Sequence, residues 1–561
     1  MRSTLRRLLV LALALTMVFG VAACGDDEGS GDSGNAGTNA QEGTPAAKTG
    51  GEAVVNLTSF PDYMDPALSY TQEGWQSLWT VYTPLLSYKH EEGAEGAQLI
   101  PGLAEAMPEI SEDGKTYTLK LRDGIKYSDG SPVKASDFEH TIKRVLNLES
   151  GGSTFYLAIA GADEYLKAGK AKGDISGIKT DDSTGEITIE LKKANGAFPY
   201  ILAMDFAGLV PGDTPFENRT KNPPPGAGPF KIENMRQSRG YDLVRNENWP
   251  EIEGIPAPKL DKITVSVAKN QARQTQDIIQ NKVDYAIDPP AADQLREVKA
   301  KYADRFEEFV TNSTYYFFMN TRTAPFDKKE VRQAVNFAID KRALSRIFGG
   351  LMEPGCNFLP PGMQGYTKID PCPYGDPNQA PNLDKAKQLI QQAGVAGDSV
   401  TVYGNDEDES SKATQYLADV LNQIGLKAKP QILEGSVYFP TIGNQKTKAQ
   451  IGFANWFQDF PHPQNFMLLV DPEAIQDTNN QNFGNVEDPE IGKMLADANA
   501  KPIEEAAPEY AAVDKKLVDD AYVAPYGHRK LGNFVSERVD FENCTVTHPV
   551  TQLDYTQLCL K

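Results

Sequence analysis

Residues 453–463 bring together a strand-like backbone, flat aromatic side chains and a single carboxylate. The run passes from apolar residues through Trp456 and Phe457 to Asp459. Two prolines follow, and proline cannot continue a helix or donate a hydrogen bond to a central sheet strand. A backbone edge, apolar walls and one negative charge are the components of a recognition site. The sequence therefore indicates binding of an extended ligand that has a positively charged end.

Motifs for catalysis are weak in this chain. The histidines form no His-Glu-x-x-His arrangement, and the sequence contains no Gly-x-Ser-x-Gly elbow. Residues 131–134 match the Ser-x-x-Lys of penicillin-recognising enzymes, but they precede the predicted helix that would have to display the serine. Gly226 and Gly228 are too closely spaced for a dinucleotide-binding loop, and Pro229 would interrupt a helix there. We therefore expect a protein that is not an enzyme, with no cofactor and no catalytic or metal site.

Size and charge restrict the class of protein further. The chain has 561 residues and a formal net charge of −21, with 40% hydrophobic and 24% charged residues, which is typical of a globular protein. Because this length exceeds what one hydrophobic core serves, we expect two or three lobes and a ligand site in a cleft between them. The negative charge disfavours nucleic acid and anionic lipid as partners of the folded body.

The N-terminus has the pattern of an export signal. Arginines at positions 2, 6 and 7 precede an apolar run over residues 8–19, which is short for a membrane-spanning helix. The Val-Ala-Ala-Cys at 21–24 resembles a bacterial lipobox, so 1–23 is predicted to be a lipoprotein signal peptide and Cys24 the lipidated residue. A plain Ala-x-Ala cleavage site with an incidental cysteine is the alternative. Residues 24–51 are rich in small and polar residues, which predicts a disordered linker that carries the lipid anchor.

The other cysteines are expected to form two disulfides in an exported chain. They are Cys356, Cys372, Cys544 and Cys559, and three pairings are formally possible. The local pairs Cys356–Cys372 and Cys544–Cys559 are the simplest. A metal site is the alternative for four cysteines, but neither Cys-x-x-Cys spacing nor a nearby histidine supports it.

Local patterns in the first half predict a hairpin and a helix. Apolar and polar residues alternate over 117–121 and again over 125–127, on either side of an Asp-Gly turn at 123–124. This arrangement predicts a β-hairpin. Ser136 and Glu139 have the spacing of a capping box, which predicts that a helix begins there.

In the second half of the chain, segments whose hydrophobic residues have the spacing of a helix alternate with segments that have the pattern of a strand. The predicted elements are helices over 331–339, 383–390 and 413–424 and strands over 400–403 and from 426 onward. The helix over 383–390 is predicted to stop at Gly394. The last strand, helix and strand of the series form a βαβ unit. Residues 511–535 are predicted to form a helix followed by a strand.

Several ordered motifs resemble one known family. They are Tyr-Thr-Leu-Lys-Leu-Arg-Asp-Gly-Ile-Lys-Tyr-Ser-Asp-Gly-Ser-Pro-Val-Lys-Ala-Ser-Asp-Phe at 117–138, Gly-Ala-Gly-Pro-Phe at 226–230, Arg-Asn-Glu-Asn-Trp at 245–249, and Met-Asn-Thr at 319–321 leading to Val-Arg-Gln-Ala-Val-Asn-Phe-Ala-Ile-Asp at 331–340. Together they resemble the family 5 extracellular solute-binding proteins, which are the peptide- and nickel-type receptors of ABC importers. The resemblance extends from about residue 52 to the C-terminus.

The resemblance implies a two-lobe α/β periplasmic-binding-protein fold with a hinge and an extra small domain inserted in the N-terminal lobe. It assigns residues 52–90, 209–309 and 510–561 to lobe I, residues 91–208 to the inserted subdomain, and residues 310–509 to lobe II. Strands that cross between the lobes would allow closure on a ligand.

The resemblance also implies roles for the segment at 453–463. In peptide-binding members, a Trp-x-x-Asp-Tyr block pairs with the peptide main chain, and its aspartate takes the α-ammonium group. Here that block is Trp456-Phe457-Gln458-Asp459-Phe460, with Asn455 directly before it. A carboxylate that caps a turn is the alternative for Asp459, and packing in the core is the alternative for Trp456.

Three residues outside this block lie in segments that face the cleft in relatives. They are Tyr70, Tyr316 and Asn482, and ordinary packing or a turn hydrogen bond is the alternative for each. The chain departs from the family at His462, where relatives often have an acidic residue. It departs again at Phe453, where some oligopeptide receptors have a basic residue. No anchor for a ligand carboxylate is therefore identified.

The implied function is that of the substrate-binding component of an ABC importer. The protein would capture short peptides and deliver them to a membrane permease, with an ATPase subunit supplying the energy. We expect a monomer on the outer face of the cell membrane, tethered as a lipoprotein. The alternatives are the same fold binding another solute, such as a nickel chelate, a sugar or an opine, and a cell-surface receptor that senses peptides. A hydrolase is disfavoured by the motifs above.

Overall fold

A computed structural model describes residues 49–168 and 172–561 of the chain. The predicted signal peptide 1–23, Cys24 and most of the predicted linker 24–51 lie outside these residues. Within them, no helix combines the length and the apolar character that crossing a membrane requires.

The strands and helices alternate along the chain. The strands are β1 (Glu52–Leu57), β2 (Leu86–Tyr88), β3 (Leu99–Pro101), β4 (Glu109–Ile110), β5 (Thr116–Lys120), β6 (Ile178–Asp181), β7 (Glu186–Glu190), β8 (Phe230–Arg236), β9 (Gly240–Arg245), β10 (Lys262–Val267), β11 (Tyr285–Ala286), β12 (Phe306–Val310), β13 (Ser313–Met319), β14 (Met352–Pro354), β15 (Ser399–Asn405), β16 (Lys427–Leu433), β17 (Ile451–Phe457), β18 (Val523–Phe534), β19 (Thr547–His548) and β20 (Gln552–Leu553). The helices are α1 (Gln72–Leu78), α2 (Gly93–Gly96), α3 (Ser136–Asn147), α4 (Ser153–Tyr156), α5 (Ala162–Ala168), α6 (Phe198–Ile201), α7 (Gln271–Ile279), α8 (Leu295–Lys301), α9 (Lys329–Ala338), α10 (Lys341–Ile347), α11 (Leu383–Gln392), α12 (Asp408–Gln423), α13 (Gly435–Ile442), α14 (Gln464–Met467), α15 (Pro489–Asn499), α16 (Ile503–Asp519) and α17 (Phe541–Cys544). Short 3-10 turns are Asp205–Ala207, Ala303–Arg305, Gln445–Thr447 and Pro472–Ala474.

The first sheet combines the N-terminal strand with strands from the middle of the chain. Its order is β11-β1-β10-β9-β8, in which β1 runs parallel to β10 and β11 and the other pairs are antiparallel. Ala53, Val55 and Leu57 are fully buried on one face of β1, where they join Ile263 and Val265 of β10 in one core. Every second side chain of a strand points to the same face, so this alternation places β1 against the core.

A separate four-stranded antiparallel sheet forms within residues 109–190, in the order β4-β5-β7-β6. The predicted hairpin around 123–124 is wrong, because β5 pairs with β4 on one side and β7 on the other. Both edges of β5 are thus already hydrogen-bonded, so residues 125–127 have no edge of β5 to join. A tight turn closes instead between Lys126 and Pro132, which form an isolated bridge.

Helix α3 begins at the predicted place but without the predicted capping box. Ser136 Oγ donates to Asp182 Oδ2 at 2.9 Å, and Glu139 Oε1 accepts from the backbone N–H of Ile175 at 2.9 Å. Both side chains are therefore used to hold distant segments against the helix. The capping-box prediction is wrong because tertiary contacts outcompete the local ones.

The second sheet contains seven strands in the order β12-β18-β13-β17-β15-β16, with β14 paired to β18. The predicted βαβ unit is confirmed, since β15 and β16 run parallel and α12 connects them. The two other predicted helices are α9 and α11. Gly394 follows α11 with φ +69°, the left-handed conformation that ends a helix and that glycine adopts without strain.

The C-terminal part of the chain returns to the first sheet later than expected. The sequence places 510–561 in lobe I, whereas β18 pairs antiparallel with β12, β13 and β14 of the second sheet. Helix α16, directly before it, packs against α15. The chain reaches the first sheet only at Val535, which bridges Tyr285 of β11. The helix followed by a strand is confirmed, and the strand β18 is part of the second sheet.

Both local disulfides are confirmed. Cys356 bonds to Cys372 with a Cα–Cα distance of 6.0 Å, and Cys544 bonds to Cys559 at 5.3 Å. They close loops whose ends are 16 and 15 residues apart. In the chain-entropy model, each cross-link over a loop of this length raises the free energy of unfolding by about 3 kcal/mol, because it restricts the unfolded chain.

Candidate ligand-binding cleft

A cavity of about 750 Å³ lies between α1 and the end of β17. Residues 70–76 line one side, and residues 457–459 line another. The remaining lining segments are 92–97, 307–312, 361–364 and 547–552. Ligand pockets typically measure about 300–1,000 Å³, so the cavity has room for a ligand of several residues.

Strand β17 brings the predicted block to this cavity. Its residues pair antiparallel with β13, with Phe457 opposite Ser313, and Gln458 N–H then donates to the Asn312 carbonyl at 3.0 Å. On the other side, β15 pairs with β17 only at Ile451 and Gly452. In the part of the chain that the structure describes, the later half of this edge of β17 therefore has no strand partner. Such an edge can accept an extended peptide through main-chain hydrogen bonds.

Asp459 is a buried carboxylate that is held by neutral groups. Its side chain is 7% exposed, and Oδ1 accepts from the Tyr70 hydroxyl at 2.9 Å. Oδ2 accepts from Asn465 Nδ2 at 2.7 Å, while the Asp459 backbone N–H donates to Asn465 Oδ1 at 2.9 Å. No Lys or Arg of the described residues forms an ion pair with it. The carboxylate accepts from side chains rather than from turn backbone, so it does not act as the turn cap that was the alternative.

Burial raises the pKa of Asp459 to about 6, and the hydrogen bonds from Asn465 and Tyr70 oppose this rise. Desolvation disfavours the charged form because the low-dielectric surroundings cannot replace its hydration. A cationic ligand group would supply the missing counter-charge through a charge-assisted hydrogen bond. The arrangement can therefore bind an ammonium group.

Tyr70 is positioned by its own loop and by two aromatic rings. Its backbone N–H donates to Asp62 Oδ2 at 2.8 Å. Its ring stacks on Trp75 at 5.5 Å and meets Phe206 edge-on at 5.3 Å. Burial and the charge of Asp459 raise the pKa of Tyr70, so the hydroxyl stays protonated and remains a donor to that carboxylate. The structure thus brings Tyr70 and Asp459 together from 389 residues apart in the sequence.

The aromatic residues of the block have different surroundings. Phe457 lines the cavity, and its side chain is 39% exposed. Trp456 packs against the core beside the cavity, and its Nε1 donates to Asn465 Oδ1 at 3.1 Å. It therefore positions the amide that holds Asp459, in line with the packing alternative. Asn455 lies opposite Tyr315 in the β13–β17 pair and does not line the cavity.

Tyr316 and Asn482 lie away from the cavity, contrary to expectation. Tyr316 is 2% exposed and meets the Phe358 ring edge-on at 5.0 Å within the core. Asn482 is fully buried and closes a turn, since its Oδ1 accepts from Val486 N–H at 3.0 Å. Packing and a turn hydrogen bond, the alternatives weighed for these residues, describe their surroundings.

Sequence reasoning missed most residues that line the cavity. They come from short segments that are far apart in the chain and carry no common motif, and they include Gln76, Glu92, Glu307, Asn312 and Gln458. Val310, Tyr70 and Phe457 are among the exposed large apolar side chains of the described residues, and all three line this cavity. Among the described residues, the ionisable acids of the lining are Glu92, Glu307 and Asp459, and no Lys or Arg lines the cavity.

Comparison with known proteins places the chain in a family. Residues 98–476 match the model of the bacterial extracellular solute-binding proteins, family 5. The dipeptide-binding protein DppE of Bacillus subtilis (strain 168) is 24% identical over 572 residues, which cover 98% of this chain and 98% of that protein. Heme-binding protein A of Haemophilus influenzae is 27% identical over 507 residues, which cover 86% of this chain and 87% of that protein.

A solved structure shows the same fold. The clavulanic acid biosynthesis oligopeptide binding protein 2 superposes with a TM-score of 0.84 at 23% identity, covering 92% of this chain and 96% of that protein. The family match extends over more than half of the residues, and the two-lobe α/β fold agrees with it. The chain belongs to the family 5 bacterial extracellular solute-binding proteins.

Proposed function

We propose that this protein is the substrate-binding component of an ABC importer, which captures short peptides in the cavity beside Asp459 and delivers them to a membrane permease. The observation that carries the proposal is the buried carboxylate of Asp459, which lies at the wall of a 750 Å³ cavity without a cationic partner among the described residues. The names of relatives support peptides as ligands, since one of them is a dipeptide-binding protein.

The proposed roles follow from the contacts. Asp459 binds the α-ammonium group of the peptide, and Tyr70 and Asn465 hold its carboxylate in place. The unpaired edge of β17 and the exposed ring of Phe457 receive the start of the peptide main chain. Trp456 acts through Asn465, as a positioning residue. Binding without chemical change is the whole activity that we assign to this chain.

Transport requires the two parts of the fold to move. We assign residues 52–90, 209–309 and 535–561 to lobe I, residues 91–208 to the inserted subdomain and residues 310–534 to lobe II. Strand β12 and the end of β18 that pairs with it are the crossings between the lobes, and they are the proposed hinge. The hydrogen bond from Tyr70 of lobe I to Asp459 of lobe II joins the two lobes, and opening would break it.

The proposed location is the outer face of the cell membrane. The signal peptide 1–23 would be removed, Cys24 lipidated, and the linker 24–51 would tether a monomer near its permease and ATPase partners. The family description as extracellular proteins supports export. Incorporation of a labelled fatty acid by the wild-type chain, and its loss in Cys24→Ser, would test the lipid anchor.

The test of peptide capture compares peptides that differ only at the N-terminus. The purified full chain in detergent is titrated calorimetrically with alanine pentapeptide amides whose N-terminus is free or acetylated. Acetylation removes the positive charge, so we expect it to weaken binding at least about 100-fold, as for loss of one partner of a buried charge pair. Equal affinity of the two peptides would refute the role of Asp459. Recovery of intact peptide afterwards distinguishes binding from hydrolysis.

A further inference from the structure

We propose that Glu307 and Glu92 form a second cation-binding subsite in the same cavity, so that the preferred ligands are short peptides carrying a basic side chain. The proposal rests on the proposed function and adds a ligand class to it. It is distinct from the site at Asp459, which would recognise the α-ammonium group common to all peptides.

A shared hydroxyl and backbone group hold the two glutamates next to each other. Thr547 Oγ1 donates to Glu307 Oε2 at 2.9 Å, and Thr547 N–H donates to Glu92 Oε1 at 3.3 Å. The strand pairing of β12 and β18 places Glu307 opposite Asn533, whose Nδ2 donates to Thr547 Oγ1 at 2.7 Å. Glu307 is half-buried and lines the cavity together with Glu92. The carboxylates are therefore fixed by neutral donors on one side and open to the cavity on the other.

Neither glutamate has a cationic partner among the described residues, although their neighbours in sequence do. Glu308 pairs with Lys299 at 2.6 Å, and Glu91 pairs with Lys89 at 3.0 Å. These two neighbouring acids, which do not line the cavity, are thus paired by the chain itself, whereas the two that line the cavity have no such partner among the described residues. Burial, together with the nearby charge of Glu92, raises the pKa of Glu307. A ligand cation would relieve this repulsion between like charges.

An independent observation at the same corner is the side chain of Gln76. It lines the cavity and is 1% exposed, and its Nε2 donates to the Leu553 carbonyl at 2.9 Å. Leu553 lies opposite Thr547 in the β19–β20 pair, so Gln76 and the two glutamates contact the same two-stranded ribbon. The Gln76 Oε1 atom is buried and has no hydrogen-bond donor among the described residues. Buried acceptors are rarely left unpaired, so the cavity wall at this ribbon is short of hydrogen-bond donors.

The charges of the whole lining agree with a cationic ligand. In the part of the chain that the structure describes, its ionisable acids are the three carboxylates and no Lys or Arg lines it. A peptide with a free ammonium group and a basic side chain matches this potential, whereas the C-terminal carboxylate finds no counter-charge there. The ligand carboxylate is therefore left unanchored, and amidation of the C-terminus should not weaken binding.

The test compares peptides that carry a single lysine at different positions. Calorimetry on the full chain in detergent compares alanine pentapeptide amides that carry lysine at one of positions two to five with peptides that carry norleucine, a neutral residue of similar length, at the same position. We expect the lysine peptide to bind at least about tenfold more tightly than the norleucine peptide in at least one position, because the lysine ammonium group can donate a charge-assisted hydrogen bond that norleucine cannot. Equal affinities of lysine and norleucine peptides at every position would overturn the proposal.

Single substitutions identify the residues that cause the preference for lysine. Glu307→Gln should abolish the preference for lysine, and Glu92→Gln should reduce it. Glu308→Gln, the adjacent residue of the same strand that does not line the cavity, is the matched control and should retain it. A preference that survives in both Glu307→Gln and Glu92→Gln would also overturn the proposal. If Glu307→Gln does not fold, as judged by its thermal transition, the Glu92→Gln comparison decides the question.

Failure of this inference and failure of the proposed function give different results. Binding of lysine and norleucine peptides with equal affinity refutes the second subsite and leaves peptide capture intact. Absence of binding by every peptide refutes both. Asp459→Asn should weaken the binding of lysine and norleucine peptides by the same factor, because it removes a contact to the α-ammonium group that both peptides share.

Discussion

The two acidic corners of the cavity are built differently. Asp459 is 7% exposed, and both of its oxygens accept from neutral side chains that the core holds in place. Glu307 is half-buried and Glu92 is exposed, and the two share a single residue, Thr547, as their donor. A rigid, dry carboxylate suits a group that every ligand presents at the same point. A more hydrated pair that shares one donor residue suits a group whose position varies between ligands.

The difference also predicts where binding free energy is concentrated. Electrostatic interactions strengthen as the local dielectric falls, so the contact at Asp459 should contribute more than the contact at the glutamates. The glutamates should instead decide which peptides are preferred. The following predictions test this division, beginning with the largest effect.

The largest expected effect is that of Asp459→Asn on affinity. The substitution keeps the size of the side chain but removes its charge, so we expect peptide affinity at neutral pH to fall about 100-fold. Isothermal titration calorimetry with an alanine pentapeptide amide measures it. Asp514→Asn is the matched control, because Asp514 is another buried carboxylate that accepts from Asn357 Nδ2 and Phe358 N–H and does not line the cavity. Loss of affinity in the control but not in Asp459→Asn would contradict the comparison.

Affinity should also depend on the protonation of Asp459. Its pKa is raised to about 6, so the carboxyl group of the free protein is ionised above that pH and protonated below it. A ligand ammonium group binds the ionised form, so affinity should fall about tenfold per pH unit below this value. Calorimetry from mildly alkaline to mildly acidic pH follows the change. Asp459→Asn should show no such dependence, and a sloping profile in that variant would assign the titration to another group.

The same raised pKa predicts an effect on stability with the opposite sign. Because the folded state binds the proton of Asp459 more tightly than the unfolded state, ionisation lowers the free energy of unfolding as pH rises through about 6. The cost amounts to roughly 3 kcal/mol above that pH and is absent near the ordinary carboxyl pKa. Ligand-free Asp459→Asn should therefore be more stable than the wild type at neutral pH. Denaturant unfolding of both proteins at two pH values measures this, and a less stable variant at neutral pH would disprove it.

A smaller effect is expected from Tyr70→Phe. The substitution removes the hydroxyl that donates to Asp459 and keeps the ring that stacks on Trp75. Loss of one hydrogen bond to a charged group should weaken peptide binding by about tenfold or less. The pH midpoint of binding should also move upward, because one donor to the carboxylate is gone. Tyr366→Phe, outside the cavity, is the control, and an unchanged midpoint in Tyr70→Phe would exclude the proposed positioning role.

The smallest expected effect is that of salt, and it should separate the two corners. Added salt screens exposed charges much more than buried ones. Raising the NaCl concentration should therefore weaken the binding of a lysine peptide by about threefold more than the binding of its norleucine counterpart. The contribution of Asp459 to the affinity of either peptide should change little. Calorimetry at low and high salt with both peptides provides the measurement. Equal salt dependence of the two peptides would show that the glutamates do not contact the lysine.

Local sequence patterns predicted the regular elements of the second half well. The helices at α9 and α11, the stop at Gly394 and the βαβ unit from β15 to β16 follow from hydrophobic period and from glycine chemistry. The hairpin around 123–124 failed because strand pairing depends on which edge is free, and β7 takes the edge of β5. The capping box at Ser136 failed for a related reason, since a distant aspartate competes for its hydroxyl.

Residue types and short spacings were enough to predict the family, the α/β class, the candidate block at 453–463 and the capacity for two disulfides. These depend on residue types and on spacings of a few positions, which local steric and hydrophobic rules translate directly into structure. The folded structure was needed to show that Tyr70 contacts Asp459 and that Tyr316 and Asn482 do not line the cavity. It was also needed to show that two glutamates without a cationic partner among the described residues share that cavity. Such contacts join residues hundreds of positions apart, and packing of the whole chain fixes them, so no local pattern reports them.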